Sequence, residues 1–389
     1  MTRVCIPDTE YKERVKKAAA LAGQWGLDVL LVNSTESDYA NARYFSGYWP
    51  LFERSGVAIT PAGEAALLVG PESEKYGADV SRLDKLFVAL YYREGANPSY
   101  PETVTSTYSD IFKGLGVKGD RIRIGVCSLL ETSVVMLNGL QECYPDAEIV
   151  DAFEIMTSLR SIKSANELAC LREGFRITAI AMQEVRQALR PGVTELQMVG
   201  LAQRVIYEHG AEYEGLPMYV FSEKSTSHAI SRPSYRVIQK GDVVQLNLSA
   251  KVDGYSPSIG YPVCIGKLTP EKREIVEFGL EAHRWTEQRL KAGAHAGSIA
   301  SDFYKLYCDR GYKQNFVYGP CHGTGMIEVE APWMESTSDY ALQPNMTFQI
   351  DTFVSGSTFG IRWEKGIVIT EDGFESLSEP IGEIYELDF

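Results

Sequence analysis

The segment Leu189-Arg190-Pro191-Gly192, followed by a helical pattern that closes at His209-Gly210, recurs 101 residues later as Leu290-Lys291-Ala292-Gly293 and a pattern that closes at Arg310-Gly311. Each copy runs on into a loop bearing a histidine (His228, His322) and then an apolar strand interrupted by one polar residue (Asn247, Asp351). A repeated unit that cannot bury its apolar face alone buries it against its copy. The repeat therefore predicts two sets of helix, helix, His loop and hairpin facing each other across a pseudo-twofold axis. The polar groups would meet between them.

The clearest hairpin is Gly241 to Cys264. A polar turn (Lys240, Gly241, Asp242) precedes an alternating apolar run, Val243 to Leu248, and Asp253-Gly254 turns the chain into a second strand. Helix starts are equally legible. Ser164-Ala165-Asn166-Glu167 and Thr194 with Gln197 are capping boxes, in which the hydroxyl accepts from a free backbone N–H and the longer side chain reaches back. Thr269-Pro270 opens a third helix, expected to reach about Lys291.

Upstream of Ser158 the texture differs. A helix from Thr9 to Gly26, a strand at Asp28–Asn33, an aromatic-rich loop from Ser34 to Ser55 and a hairpin from Gly56 to Gly70 come first. Strand-like runs at Lys85–Leu90, Arg121–Cys127 and Ala147–Val150 then alternate with helical patterns at Tyr100–Leu115 and Leu129–Glu142. That alternation is the signature of an α/β layer domain.

A chain of 389 residues exceeds what one core usually supports, so two domains are expected, 1–157 and 158–389. The net charge of -14 argues against nucleic acid or an anionic membrane surface, since phosphate binding needs clustered Lys and Arg. Seven scattered cysteines with no CxxC pair argue against a disulfide framework or a structural zinc site. With no apolar leader and no run of about 18 apolar residues, a cytoplasmic protein is expected.

Four stretches resemble one known family. These are the hairpin itself, Asn41-Ala42-Arg43-Tyr44-Phe45-Ser46-Gly47, Leu159-Arg160-Ser161-Ile162-Lys163-Ser164, and His322-Gly323-Thr324-Gly325. Together they resemble the pita-bread family that contains methionine aminopeptidase, aminopeptidase P, prolidase and creatinase. The resemblance implies an α/β plus α+β architecture: an N-terminal creatinase/prolidase-like α/β domain, then a C-terminal pita-bread domain with a pseudo-twofold repeat. It also implies a small-molecule substrate and a homodimer.

The family's metallopeptidases hold two divalent ions with Asp, Asp, His, Glu and Glu. In this chain those positions fall on Asn247, Ser258, His322, Asp351 and Glu364. Two ions a few ångströms apart need bridging carboxylates to offset their repulsion. With an amide and a hydroxyl replacing two of them, the expectation is no metal, or at most one divalent ion on His322, Asp351 and Glu364. The peptidases' second histidine is replaced by Val329, beside Glu330.

Creatinase, the member without a metal, is similar in carrying Asn and a small residue at the two aspartate positions. By that resemblance His228 is the general acid/base, with His322, Asp351 and Glu364 also catalytic. Phe52, Arg54, Asn247, Ser258 and Glu330 would bind substrate, with the Phe52 loop covering the second subunit's cleft. Creatinase's additional Glu and Arg correspond here to Gly260 and Trp333, so creatine itself is not implied. The first reading is a metal-independent hydrolase of a C–N bond in a small guanidino, amide or betaine-like compound. A second is a single-ion Xaa-Pro aminopeptidase, dipeptidase or lyase. A third is a binding protein of the same fold without catalysis, in which Asn247 and Ser258 satisfy each other.

Overall fold

A computed structural model describes residues 3–378 and 381–389. The chain forms two compact units, Ile6–Arg160 and Ser161–Phe389, the second also taking in the first few residues of the chain.

In the first unit, β1 (Val29–Ser34), β2 (Ser55–Ile59), β3 (Ala65–Val69), β4 (Lys85–Val88), β5 (Arg123–Val126) and β6 (Glu148–Asp151) form one mixed sheet. Its order is β4-β3-β2-β1-β5-β6. Consecutive strands linked by a tight turn pair antiparallel, as β2 does with β3, and strands reached through a helical crossover pair parallel, as β5 does with β6. Val29, Leu31, Tyr108, Phe112, Ile124 and Met136 fill the core under it. Each fully buried side chain of this kind contributes roughly 1.5–3 kcal/mol.

Three local expectations are corrected. The Ser34–Ser55 stretch contains a helix, Ala40–Ser46, all seven residues of which are buried, so its aromatics are core and not only loop. The helix expected over Tyr100–Leu115 is confined to Tyr108–Gly114, where Thr107 and Asp110 form a capping box that the prolines upstream cannot provide. The first helix starts at Asp8 without a side-chain cap, so Thr9 lies inside its first turn.

The second unit is built from β7 (Tyr219–Ser222), β8 (Val243–Ser249), β9 (Ser258–Ile265), β10 (Cys321–Gly323), β11 (Glu330–Met334), β12 (Thr347–Val354), β13 (Ile361–Ile369), β14 (Phe374–Ser376) and β15 (Tyr385–Leu387). The order is β11-β10-β12-β13-β9-β8-β7, with β14 on β13 and β15 on β9. Reading outward from the β13/β9 junction gives a hairpin and a third strand on each side, β13-β12-β10 and β9-β8-β7, with β11 added beyond β10. That symmetry is the internal repeat. The helices Ala165–Ala188 and Glu195–Glu208 precede the first set, and Pro270–Glu287 and Ala296–Asp309 the second. The expected caps at Ser164, Thr194 and Thr269 all accept the backbone N–H three residues on. The third helix stops at Glu287, short of Lys291.

At the β8–β9 turn, Asp253 (φ 48°) and Gly254 (φ 92°) both adopt left-handed backbone. This is the conformation that favours Asp-Gly in a tight hairpin. All seven cysteines are free thiols. Among the described residues no helix is long and apolar enough to cross a membrane.

Candidate active site

Strand register assembles the site. Side chains alternate between the faces of a strand, so residues directly opposite one another share a face. Asp351 lies opposite Glu364, Glu364 opposite Gly260, Gly260 opposite Asn247, and Asn247 opposite Tyr219. At the other end, His322 lies opposite Gln349, two residues from Asp351. This row crosses both halves of the repeat.

Because Gly260 has no side chain, Asn247 can reach over it and donate its Nδ2 hydrogen to Glu364 Oε2. The amide's other end, Oδ1, accepts from Gln245 Nε2 at 2.9 Å. Ser258, opposite Ser249, takes no part in that bond, and its buried Oγ has no hydrogen-bond partner. Asn247 and Ser258 therefore do not satisfy one another.

Asp351 is committed to a cation. Arg362 Nε lies 3.1 Å from its Oδ1, Tyr318 donates to its Oδ2 at 2.7 Å, and Arg362 Nη2 donates to the Tyr318 oxygen at 2.7 Å. Burial opposes the charge on Arg362, but Asp351, Tyr318 and Glu364 outweigh it and hold the guanidinium more firmly protonated than usual. Arg362 Nη2 also donates to the Ala229 carbonyl at 2.8 Å, tying the adjacent His228 loop to the site. His228 itself is exposed, with its Nδ1 3.3 Å from Ser231 Oγ.

His322 is buried, and its Nδ1 faces the Gly323 carbonyl at 3.0 Å. A carbonyl only accepts, so Nδ1 carries a hydrogen and Nε2 is the ring atom turned toward the carboxyls. That atom lies 3.8 Å from Glu328 Oε1 and 3.9 Å from Asp351 Oδ2. Sequence reasoning missed Glu328, which is buried with its carboxyl beside that of Glu364. Two ionised carboxylates only accept and repel one another, so their closeness favours a proton on one of them. Burial pushes Glu328 up to about 7, and burial with Glu328 and Asp351 nearby pushes Glu364 well above the usual carboxylate range.

Glu330 takes a different part. Its Oε1 lies 3.0 Å from Lys163 Nζ, and both side chains are almost wholly buried. Val329 between the two glutamates is exposed. In the first unit, Phe52 is 77% exposed with φ 60°, and Arg54 has a buried Nε without a hydrogen-bond partner.

Which ions could these residues hold? The three carboxyl groups Glu328, Asp351 and Glu364, set against Arg362, leave two negative charges when all are ionised. Two divalent ions would leave buried positive charge, and the Asn247 N–H occupies Glu364, so a bridged pair does not fit. One divalent ion fits. His322, Glu328 and Glu364 offer ligand atoms all within 4.8 Å of one another, with Glu328 standing where Asp351 was expected.

Two family models match the chain: the Creatinase/Prolidase N-terminal domain over residues 14–162 and Metallopeptidase family M24 over residues 169–371. The chain belongs to metallopeptidase family M24. A Xaa-Pro dipeptidase from Lactobacillus delbrueckii subsp. lactis is 27% identical over 65% of this chain and 69% of its own. A creatinase from Bacillus sp. is 24% identical over 62% of this chain and 63% of its own. The crystal structure of an X-Pro aminopeptidase from Thermotoga maritima superposes with a TM-score of 0.80 at 22% identity, covering 96% of this chain and 99% of that one. This M24 member thus has the two-domain fold of its relatives, with a pita-bread second domain. It belongs to a family of hydrolases acting on C–N bonds.

Proposed function

We propose that this M24 member hydrolyses a C–N bond in a small nitrogenous compound, of guanidino, amide or betaine-like type, without a metal pair. The observation that carries this reading is the Asn247 amide on Glu364, an N–H donor where a twin-ion centre needs a shared carboxylate oxygen. Charge supports it as well. With one proton on the Glu328/Glu364 pair and Arg362 on Asp351, the cavity keeps a single negative charge, which a monocationic substrate neutralises.

In this scheme His228 removes a proton from the attacking water as the new C–O bond forms, then returns it to the departing nitrogen as the C–N bond breaks. The Ser231 contact orients its ring. The Glu328/Glu364 pair holds the substrate cation, while Asp351, engaged by Arg362 and Tyr318, fixes that wall of the cavity. The exposed, left-handed Phe52 suits a loop that covers the cleft of a second copy in a homodimer.

A second reading, favoured by the cluster His322, Glu328 and Glu364, keeps one divalent ion and cleaves Xaa-Pro peptides like the dipeptidase relatives. Such an ion would supply a Lewis acid for the scissile carbonyl. Elemental analysis of the purified protein, with turnover measured on guanidino, amide and Xaa-Pro substrates with and without a chelator, separates the two. Chelator-resistant turnover of a small cationic compound is expected. Stoichiometric metal with chelator-sensitive Xaa-Pro cleavage would replace the first reading with the second.

A further inference from the structure

Crystallographic amides are usually ambiguous, because their oxygen and nitrogen scatter alike. Here the chain of partners leaves no freedom. The Arg362 backbone N–H can only donate, and it donates to Gln245 Oε1 at 2.7 Å. Gln245 Nε2 is thereby fixed as a donor, and its other neighbours agree: the Arg362 carbonyl at 3.0 Å and the Leu246 carbonyl at 3.1 Å both only accept. Its contact to Asn247 at 2.9 Å must then end on an oxygen, which turns the Asn247 nitrogen toward Glu364. Gln245 and Asn247 are both almost completely buried, so no solvent competes for these bonds.

We propose that Gln245 is a positioning residue for the reaction assigned above: it locks the Asn247 carboxamide with its NH2 on Glu364, so that this edge of the cavity presents an N–H and not an oxygen. Asn247 alone does not decide this, because a carboxamide offers either end to a neighbour. An Asn247 turned the other way would add an oxygen ligand to the cluster of His322, Glu328 and Glu364. Gln245 thereby biases the cavity away from a divalent ion. The inference rests on the metal-pair-free reading for its catalytic meaning, but the lock is a property of the folded chain and is read without turnover.

The test uses Gln245→Glu in the full chain. One carboxylate oxygen still accepts from the Arg362 N–H, while the other can no longer donate to Asn247, so the Asn247 amide must turn. Side-chain amide NMR, with the Asn247 signals identified by their absence from Asn247→Ala, should show a carboxylate-bonded, downfield N–H in the natural protein and its displacement in Gln245→Glu. Mn2+ titration should show at least tenfold tighter binding for Gln245→Glu. That gain should vanish in the double variant Gln245→Glu/Asn247→Ala, which keeps the added charge but has no amide to turn. Unmoved Asn247 signals, or an equal gain in the double variant, would overturn the lock. If Gln245→Glu misfolds, the neutral Gln245→Met variant reads the same Asn247 signals, and their persistence there would equally overturn it. Tight Mn2+ binding by the natural protein would instead sink the reading of function while leaving the NMR result to judge the lock.

Discussion

Asn247 and Glu364 stand two strands apart and are joined over a glycine: the amide on β8 crosses Gly260 on β9 to reach the carboxylate on β13. This bond joins the two halves of the internal repeat at the centre of the sheet, beside those between Gln245 and the Arg362 backbone.

A side chain at Gly260 would occupy the Asn247 amide's place. Gly260→Ala should therefore cost about 1–3 kcal/mol, as for overpacking elsewhere in protein cores. Denaturant unfolding should give a lower midpoint with an unchanged slope. A midpoint equal to that of the natural protein would mean that the amide does not need this path.

Asn247→Asp exchanges the donor for a third acceptor beside Glu328 and Glu364. Melting in chelator should fall by several degrees, since like charges would then face each other in a buried cavity. Added Mn2+ should restore it, because binding to the folded state alone stabilises that state. A melting temperature indifferent to both chelator and Mn2+ would contradict the geometry.

The Glu328 carboxyl, raised to about 7 in the folded chain, also makes a pH prediction. The unfolded chain loses this proton near pH 4.5 and the folded chain only near pH 7, so the folded state binds more protons in between. Stability should accordingly decline as pH rises through that window, by on the order of 3 kcal/mol, and level off above it. Glu328→Gln, which cannot ionise, should flatten the decline in chelator-treated protein. The same slope in both proteins would assign it to other groups.

Lys163 and Glu330 form a buried ion pair at 3.0 Å. Removing one partner strands a charge, and Lys163→Met should cost about 3–5 kcal/mol, largely recovered in Lys163→Met/Glu330→Leu. If Glu330→Gln were to leave the melting temperature unchanged and raise only KM, Glu330 would be a substrate contact, as the family resemblance implies.

His228 is exposed, so His228→Ala should change stability by no more than about 0.5 kcal/mol. Turnover of whichever small substrate the screen identifies should fall about 10²- to 10⁴-fold if this ring carries the proton. Full turnover would move the role elsewhere, with the buried His322 ring the next candidate.

Much of this was legible in the order of residues. Ser164 with Glu167, Thr194 with Gln197, and Asp253-Gly254 are local devices, closed by neighbours three or fewer residues away, and each is found where its spacing put it. The repeat was legible because both copies use the same succession of elements. Other parts were not. Glu328 and Glu330 stand on either side of Val329 and look equivalent in sequence. A register irregularity between His322 and Gly323 accompanies their separation, and one meets His322 while the other meets Lys163. Nothing in the spacing of Asp351 and Arg362 announced that a cation would take up that carboxylate.

The sequence by itself determined the elements, the repeat and the loss of two acids at Asn247 and Ser258, because those depend on residue type and short-range bonding. Tertiary structure decided which groups meet: Asn247 with Glu364, Arg362 with Asp351, and Glu328 with Glu364. Those pairings arise from strand register and from desolvation in a shared cavity, and both come into being only when distant segments pack together.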